Sequence, residues 1–174
     1  MRPKLYHVSE DAGITWFEPR PVPSPDSGVS GLAVWAVAES HLPNYLTPRD
    51  CPRICFRAGP QTSTSDRDTF LGRSDRIVAF EGVWLERVRT TELTIYELPD
   101  ENFESALPEA GYWIARCGVS PRKSLKVPNP MAALHAAGVE TRVIDNFWLL
   151  ADAIAGSTLQ FSIIRKRNAL PRGG

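Results

Sequence analysis

No apolar run in this chain approaches the roughly 18 residues that a membrane helix needs. Its opening, Met-Arg-Pro-Lys-Leu-Tyr-His, also lacks the apolar stretch of a secretory signal. The expectation is a cytoplasmic protein with no membrane partner. An excess of one charge is missing too: 20 Lys+Arg stand against 20 Asp+Glu, for a formal net charge of +0. Bulk electrostatic attraction to nucleic acid or acidic lipid is therefore excluded as a working principle. Cysteine is sparse, and the odd set of Cys51, Cys55 and Cys117 is too thin for a disulfide scaffold. A zinc site built on Cys51, Cys55 and His41 would need a fourth ligand and a tighter cysteine pair, so no metal is expected. Buried free cysteines commonly act as small hydrophobes. There is no dinucleotide-binding glycine fingerprint, no P-loop and no Gly-x-Ser-x-Gly nucleophile elbow, which removes the commonest cofactor folds and one hydrolase class.

What is present is an ordinary globular composition, with 43% apolar and 23% charged residues over 174 positions. That length predicts one domain over residues 1–174 with a sizeable core. Lysine is confined to Lys4, Lys123, Lys126 and Lys166, so basic charge is carried mainly by arginine. A planar guanidinium suits bidentate contact with phosphate or carboxylate, although a genome that favours arginine codons produces the same bias. Charge is also segregated along the chain. Between residues 90 and 115 stand Glu92, Glu97, Asp100, Glu101, Glu104 and Glu109 without a Lys or Arg. After Asp152 there is no acid, and Arg165, Lys166, Arg167 and Arg172 read as a solvated end.

Alternation in Leu5-Tyr6-His7-Val8-Ser9 predicts a strand, with Leu5, His7 and Ser9 on one face and Tyr6 and Val8 on the other. Pro19, Pro21, Pro23 and Pro25 then punctuate a stiff, extended loop. Further strands are expected at residues 32–37, 53–57, 93–98, 111–116 and 139–144, and a short helical turn over 39–46, with Pro43 tolerable only in its first turn. Residues 58–75 read as a polar, mobile loop. Residues 76–89 fit helix and strand equally, and 159–163 stay open between them. Asn129, Pro130 and Gly138 frame a short helix, and Asp145 is the expected cap of another over 147–155. The five tryptophans read mostly as core. The class is α+β: a compact mixed β-sheet domain with short helices.

The opening strand with its histidine, then Ala33-Val34-Trp35-Ala36-Val37-Ala38 running into a turn with Tyr45, resembles the start of small ADP-ribosyltransferase-like proteins. The likeness covers about the first 56 residues and the coarse strand order. It implies an ADP-ribosyltransferase-like fold and NAD as a substrate whose nicotinamide-ribose bond is cleaved. His7 would contact ribose hydroxyls, as an imidazole can both donate and accept at a diol, with Ser9 beside it. Trp35 or Tyr45 would stack on the nicotinamide, and Arg20 or Arg49 would hold phosphate. The family's catalytic carboxylate maps onto Glu97 acting with His7. Glu97 shares a strand face with Leu93 and Ile95, an expensive place for a carboxylate unless it is paired or functional. Glu140 and Glu81 compete for that role. The whole chain also resembles an uncharacterised bacterial family with the same Leu-Tyr-His-Val-Ser opening and Leu-Pro-Asn-Tyr-Leu-x-Pro-Arg-Asp-Cys-Pro-Arg run.

Three readings follow. The first is an ADP-ribosyltransferase-like enzyme (a transferase) acting on NAD, its acceptor a protein, nucleic acid or small molecule. The second is a non-catalytic nucleotide- or protein-binding module on the same scaffold. The third is nucleic-acid contact through the basic tail.

Overall fold

The strand-forming segments sort into two sheets, and each sheet carries its own core. The structure is a computed structural model that describes residues 2–21 and 28–173. In chain order the strands are β1 (Leu5–Ser9), β2 (Arg20–Pro21), β3 (Leu32–Ala38), β4 (Arg53–Arg57), β5 (Arg76–Glu81) and β6 (Leu93–Leu98). They continue with β7 (Glu104–Leu107), β8 (Tyr112–Ala115), β9 (Lys123–Val127), β10 (Glu140–Ile144) and β11 (Gln160–Ile164). The helices are α1 (Leu85–Thr90), α2 (Pro130–Ala136) and α3 (Phe147–Ala155). The chain divides into two compact units: Met1–Tyr45 with Glu92–Val127, and Leu46–Thr91 with Pro128–Gly174. No helix among the described residues is long and apolar enough to cross a membrane.

The first unit is built on a 7-stranded sheet of order β7-β8-β3-β1-β6-β9, with β2 on β3. β1 runs antiparallel to β6 in the register Leu5↔Leu98, Tyr6↔Glu97, His7↔Tyr96, Val8↔Ile95 and Ser9↔Thr94. Directly paired residues share a face, so this register sorts every side chain of the two strands. One face holds Leu5, Val34, Ala36, Tyr96, Leu98 and Ala115, which join Phe17, Phe103 and Val119 in the core. The other holds Tyr6, Val8, Ile95 and Glu97, with Trp35, Val37, Tyr112 and Ile114 from β3 and β8. The short β2 places Pro21 at the start of the proline loop, where no ladder N–H is needed from it. Pro23 and Pro25 of that loop lie outside the described residues.

In the second unit β10-β5-β4-β11 form a 4-stranded sheet, parallel only between β10 and β5. Ile54, Phe56, Ile77 and Ala79 pack on Phe147, Ala151 and Ile154 of α3, with Leu71 and Leu159 closing the cluster. Asn146 caps α3, accepting from the N–H groups of Trp148 and Leu149, which corrects the expectation of Asp145. Residues 76–89 turn out to be both structures in succession, β5 followed by α1. The span 58–75 is not a plain loop: a helical turn at Thr64–Asp66 runs into a π-helical turn at Arg67–Leu71. Ser63 caps that turn, Leu71 is buried, and Asp66 Oδ2 accepts from the Thr158 N–H at 2.7 Å. The turn over 39–45 is a 3-10 helix with Pro43 inside it.

One further expectation is corrected. The tryptophans are not mostly core: Trp16 is 50% exposed and the other four are half-buried. Trp113 and Trp148 border the two cores, and the N–H groups of Trp16 and Trp148 reach polar partners, the latter the Leu170 carbonyl at 2.8 Å. The basic tail is exposed at Lys166, Arg167 and Arg172 and docks through the last of these. Arg172 makes a two-pronged pair with Asp152 at 2.7 and 2.8 Å and lies 4.4 Å over the Trp148 ring. The Leu170 N–H donates to buried Glu81 Oε2 at 3.0 Å. Phe147→Ala removes the fully buried ring at the centre of the second unit and is expected to lower its unfolding free energy by about 3–5 kcal/mol. Chemical denaturation reads the change, and a loss below about 1 kcal/mol would show that this core closes without the ring.

Candidate functional site

The register of β1 divides the residues singled out above between two faces and two units. His7 stands on the core face opposite Tyr96, its ring 4.8 Å from Phe17 and its Nδ1 3.1 Å from the Trp35 carbonyl. In the neutral ring that contact fixes the proton on Nδ1. Ser9 shares the face and accepts from the Asp11 N–H at 3.1 Å, opening the turn that follows β1. Glu97 and Trp35 lie on the opposite face of the sheet, on strands separated by β1, and Tyr45 joins Trp35 there through Tyr112, so His7 and Glu97 do not face one cleft. Arg20 is exposed on β2. Arg49 lies in the second unit, where its carbonyl accepts from Arg165 Nε at 3.3 Å.

The face that carries Glu97 is aromatic and acidic. Trp35 meets Tyr112 edge-on, with ring centroids 5.4 Å apart at 88°, and Tyr45 meets Tyr112 at 6.1 Å and 64°. The Tyr45 hydroxyl donates to that of Tyr112. Beside them the Tyr6 hydroxyl donates to Glu39 Oε1 at 3.3 Å. Burial, and next to it the charges of Glu39 and Glu97, push the Tyr6 phenol up to about 12. Glu97 avoids the cost of an isolated buried carboxylate through Lys123, whose Nζ lies 3.0 Å from its Oε2. β9 supplies this lysine because Lys123 stands directly opposite Glu97.

One polar atom on this face lacks a partner. The indole Nε1 of Trp35 is buried and makes no hydrogen bond among the described residues. Buried donors are nearly always paired, and an unpaired one on a face of aromatics and carboxylates suits a ligand's acceptor. The two competing glutamates are committed elsewhere. Glu81 is buried against the Leu170 N–H. Glu140 receives Arg142 Nε at 2.6 Å and the Ser74 hydroxyl, which hold its carboxyl below the usual range.

Tyr6, Glu39, Tyr112 and Lys123 were not among the residues singled out. Tyr6 was assigned to the right face of its strand, but which face of β6 it would join depends on the pairing register. The two buried thiols offer little chemistry: burial pushes Cys51 to about 12 and Cys55 to about 11, keeping both protonated. No group of three or more His, Cys, Asp or Glu side chains able to hold a metal ion occurs among the described residues.

Fold and site together define an α+β protein of two β-sheet units, with an aromatic, carboxylate-bearing sheet face in the first. The chain belongs to a family of unknown function, DUF6886, whose model matches residues 6–169. Neither a curated protein nor a solved structure matches it.

A raised phenol pKa links Tyr6 to stability at high pH. The folded state keeps the Tyr6 proton after the unfolded chain, near pH 10, has begun to lose it. The stabilisation is complete below pH 10 and is lost as pH rises toward about 12. Absorbance titration should show one tyrosine ionising last, absent in Tyr6→Phe and shifted down in Glu39→Gln. A Tyr6→Phe chain with an unchanged titration above pH 11 would contradict the assignment.

Proposed function

We propose that the first unit binds the nicotinamide end of NAD on the Trp35–Tyr45–Tyr112 face and, as an ADP-ribosyltransferase-like enzyme, breaks the nicotinamide-ribose bond. The observation that carries this reading is the buried, unpaired Trp35 N–H on the face that also bears Glu97. Nicotinamide in NAD is a flat, cationic ring with a carboxamide oxygen. Aromatic faces and two carboxylates favour the cation, and the carboxamide oxygen is a suitable acceptor for the indole N–H. As the C–N bond breaks, its electron pair leaves with neutral nicotinamide and the ribose carbon becomes cationic. Glu97 stabilises that charge electrostatically. The acceptor, a protein, nucleic acid or small molecule, then adds to the ribose carbon and releases a proton.

A second reading, binding without turnover, is favoured by the register that turns His7 to the other face. On that reading the resemblance to the transferases extends to the scaffold and not to their catalytic histidine. Calorimetry with NAD and an assay of nicotinamide release separate the two. Glu97→Gln is expected to slow release by about 100-fold or more while leaving NAD affinity within about threefold. Trp35→Phe should weaken binding by about five- to tenfold through loss of one hydrogen bond. Binding without release selects the module; no NAD binding at all rejects both.

A further inference from the structure

β4 and β5 are the two central strands of the second sheet, and their register sets Arg57 directly opposite Arg76. Residues so placed have Cβ atoms about 4.5–5.5 Å apart, and like charges there repel. Both side chains are half-buried, where water screens repulsion poorly. β11 brings Gln160 opposite Arg57 on the same face. Gln160 Oε1 accepts from Arg57 Nε at 3.0 Å, the one hydrogen bond of this guanidinium among the described residues. Gly59 leaves room for the Gln160 side chain: a Cβ there would come within 2.6 Å of Gln160 Cγ and 2.7 Å of its Cδ. The Arg76 guanidinium is held below the ordinary arginine range by burial and, next to it, by Arg57. Two opposed cations on the last pair of the β4–β5 ladder, one of them held by an amide, suit an anion that neutralises both.

We propose that Arg57 and Arg76 form a clamp for a phosphate group, with Gln160 and Gly59 as positioning residues. Two guanidiniums offer several N–H donors to a compact, multiply charged oxyanion, and phosphate matches that donor geometry bidentately. The phosphate group can come from inorganic phosphate or from a phosphate monoester such as a nucleotide. The clamp lies within the second unit and does not rest on the NAD reading.

The test uses the whole chain in phosphate-free buffer, with thermal unfolding and calorimetry in inorganic phosphate and, separately, in AMP. Millimolar phosphate is expected to raise Tm by linkage. Arg57→Gln and Arg76→Gln should each weaken binding by about tenfold or more, as for a lost charged hydrogen-bond partner. Exposed Arg89→Gln, which removes the same charge, should leave binding unchanged. Gly59→Ala should weaken phosphate binding less than Arg57→Gln does, through the displaced Gln160. AMP binding tighter than phosphate by about tenfold, with the same losses, identifies a monoester ligand. Equal affinities identify phosphate itself. The proposal is overturned by an absence of binding of either probe or by binding that survives both arginine variants.

Discussion

The antiparallel pairing of β1 with β6 governs the first unit. Five residue pairs, from Leu5↔Leu98 to Ser9↔Thr94, decide which side chains enter the core and which face outward from it. A slip of one residue would exchange the two sets. It would push Glu97 into the apolar cluster with Phe17 and Phe103 and carry Leu98 out of it. The existing register is well enforced, since Leu5, Tyr96 and Leu98 are each almost wholly buried and any shift would expose them. Tyr6 meets Glu97 because of this alignment, while the β1–β3, β3–β8 and β6–β9 registers extend the same face to Trp35, Tyr112 and Lys123.

Electrostatics in the molecule is local. A formal charge of +0 suggests indifference, yet individual groups sit in strongly differentiated surroundings. Glu97 is matched by one lysine across a strand pair, and Asp152 by one arginine in a two-pronged contact. Glu81 is buried with a backbone N–H as its partner. Arg57 and Arg76 oppose each other at the end of the β4–β5 ladder. Acids gather along 92–109 and bases after residue 165, so cancellation over the whole chain conceals imbalance wherever side chains meet.

Much of the fold was legible in the sequence, because apolar alternation and end signals are local. β1, β3, β4, β6, β8 and β10 fall where the pattern puts them, and α2 begins at the Asn129 cap expected of it. β7 and β9 escaped because Glu104–Leu107 and Lys123–Val127 carry mostly exposed residues, so neither pattern nor composition marks them. The helical turns of 63–71 escaped because their support comes from Thr158, more than 90 residues away. The site shows the same divide. Facing within one strand was readable, so His7 and Tyr6 were separated correctly. The sharing of a face between strands was not, because it depends on long-range register. Glu97 was singled out for its awkward position, and its partner Lys123 became visible only when β9 was placed beside β6.

The interleaving of the two units along the chain has a consequence for synthesis. The first unit has all its strands once residue 127 has left the ribosome, but its two halves are separated by Leu46–Thr91. That intervening stretch holds β4 and β5, whose remaining sheet partners and covering helix α3 arrive between residues 140 and 164. The clasp of Arg172 on Asp152 closes last. At elongation rates of about 5–20 residues per second, the first unit can be complete for roughly 2–9 s before the second can follow. During that interval Ile54, Phe56 and Ile77 have no α3 to cover them. The nascent chain is then most exposed to aggregation and most in need of a chaperone.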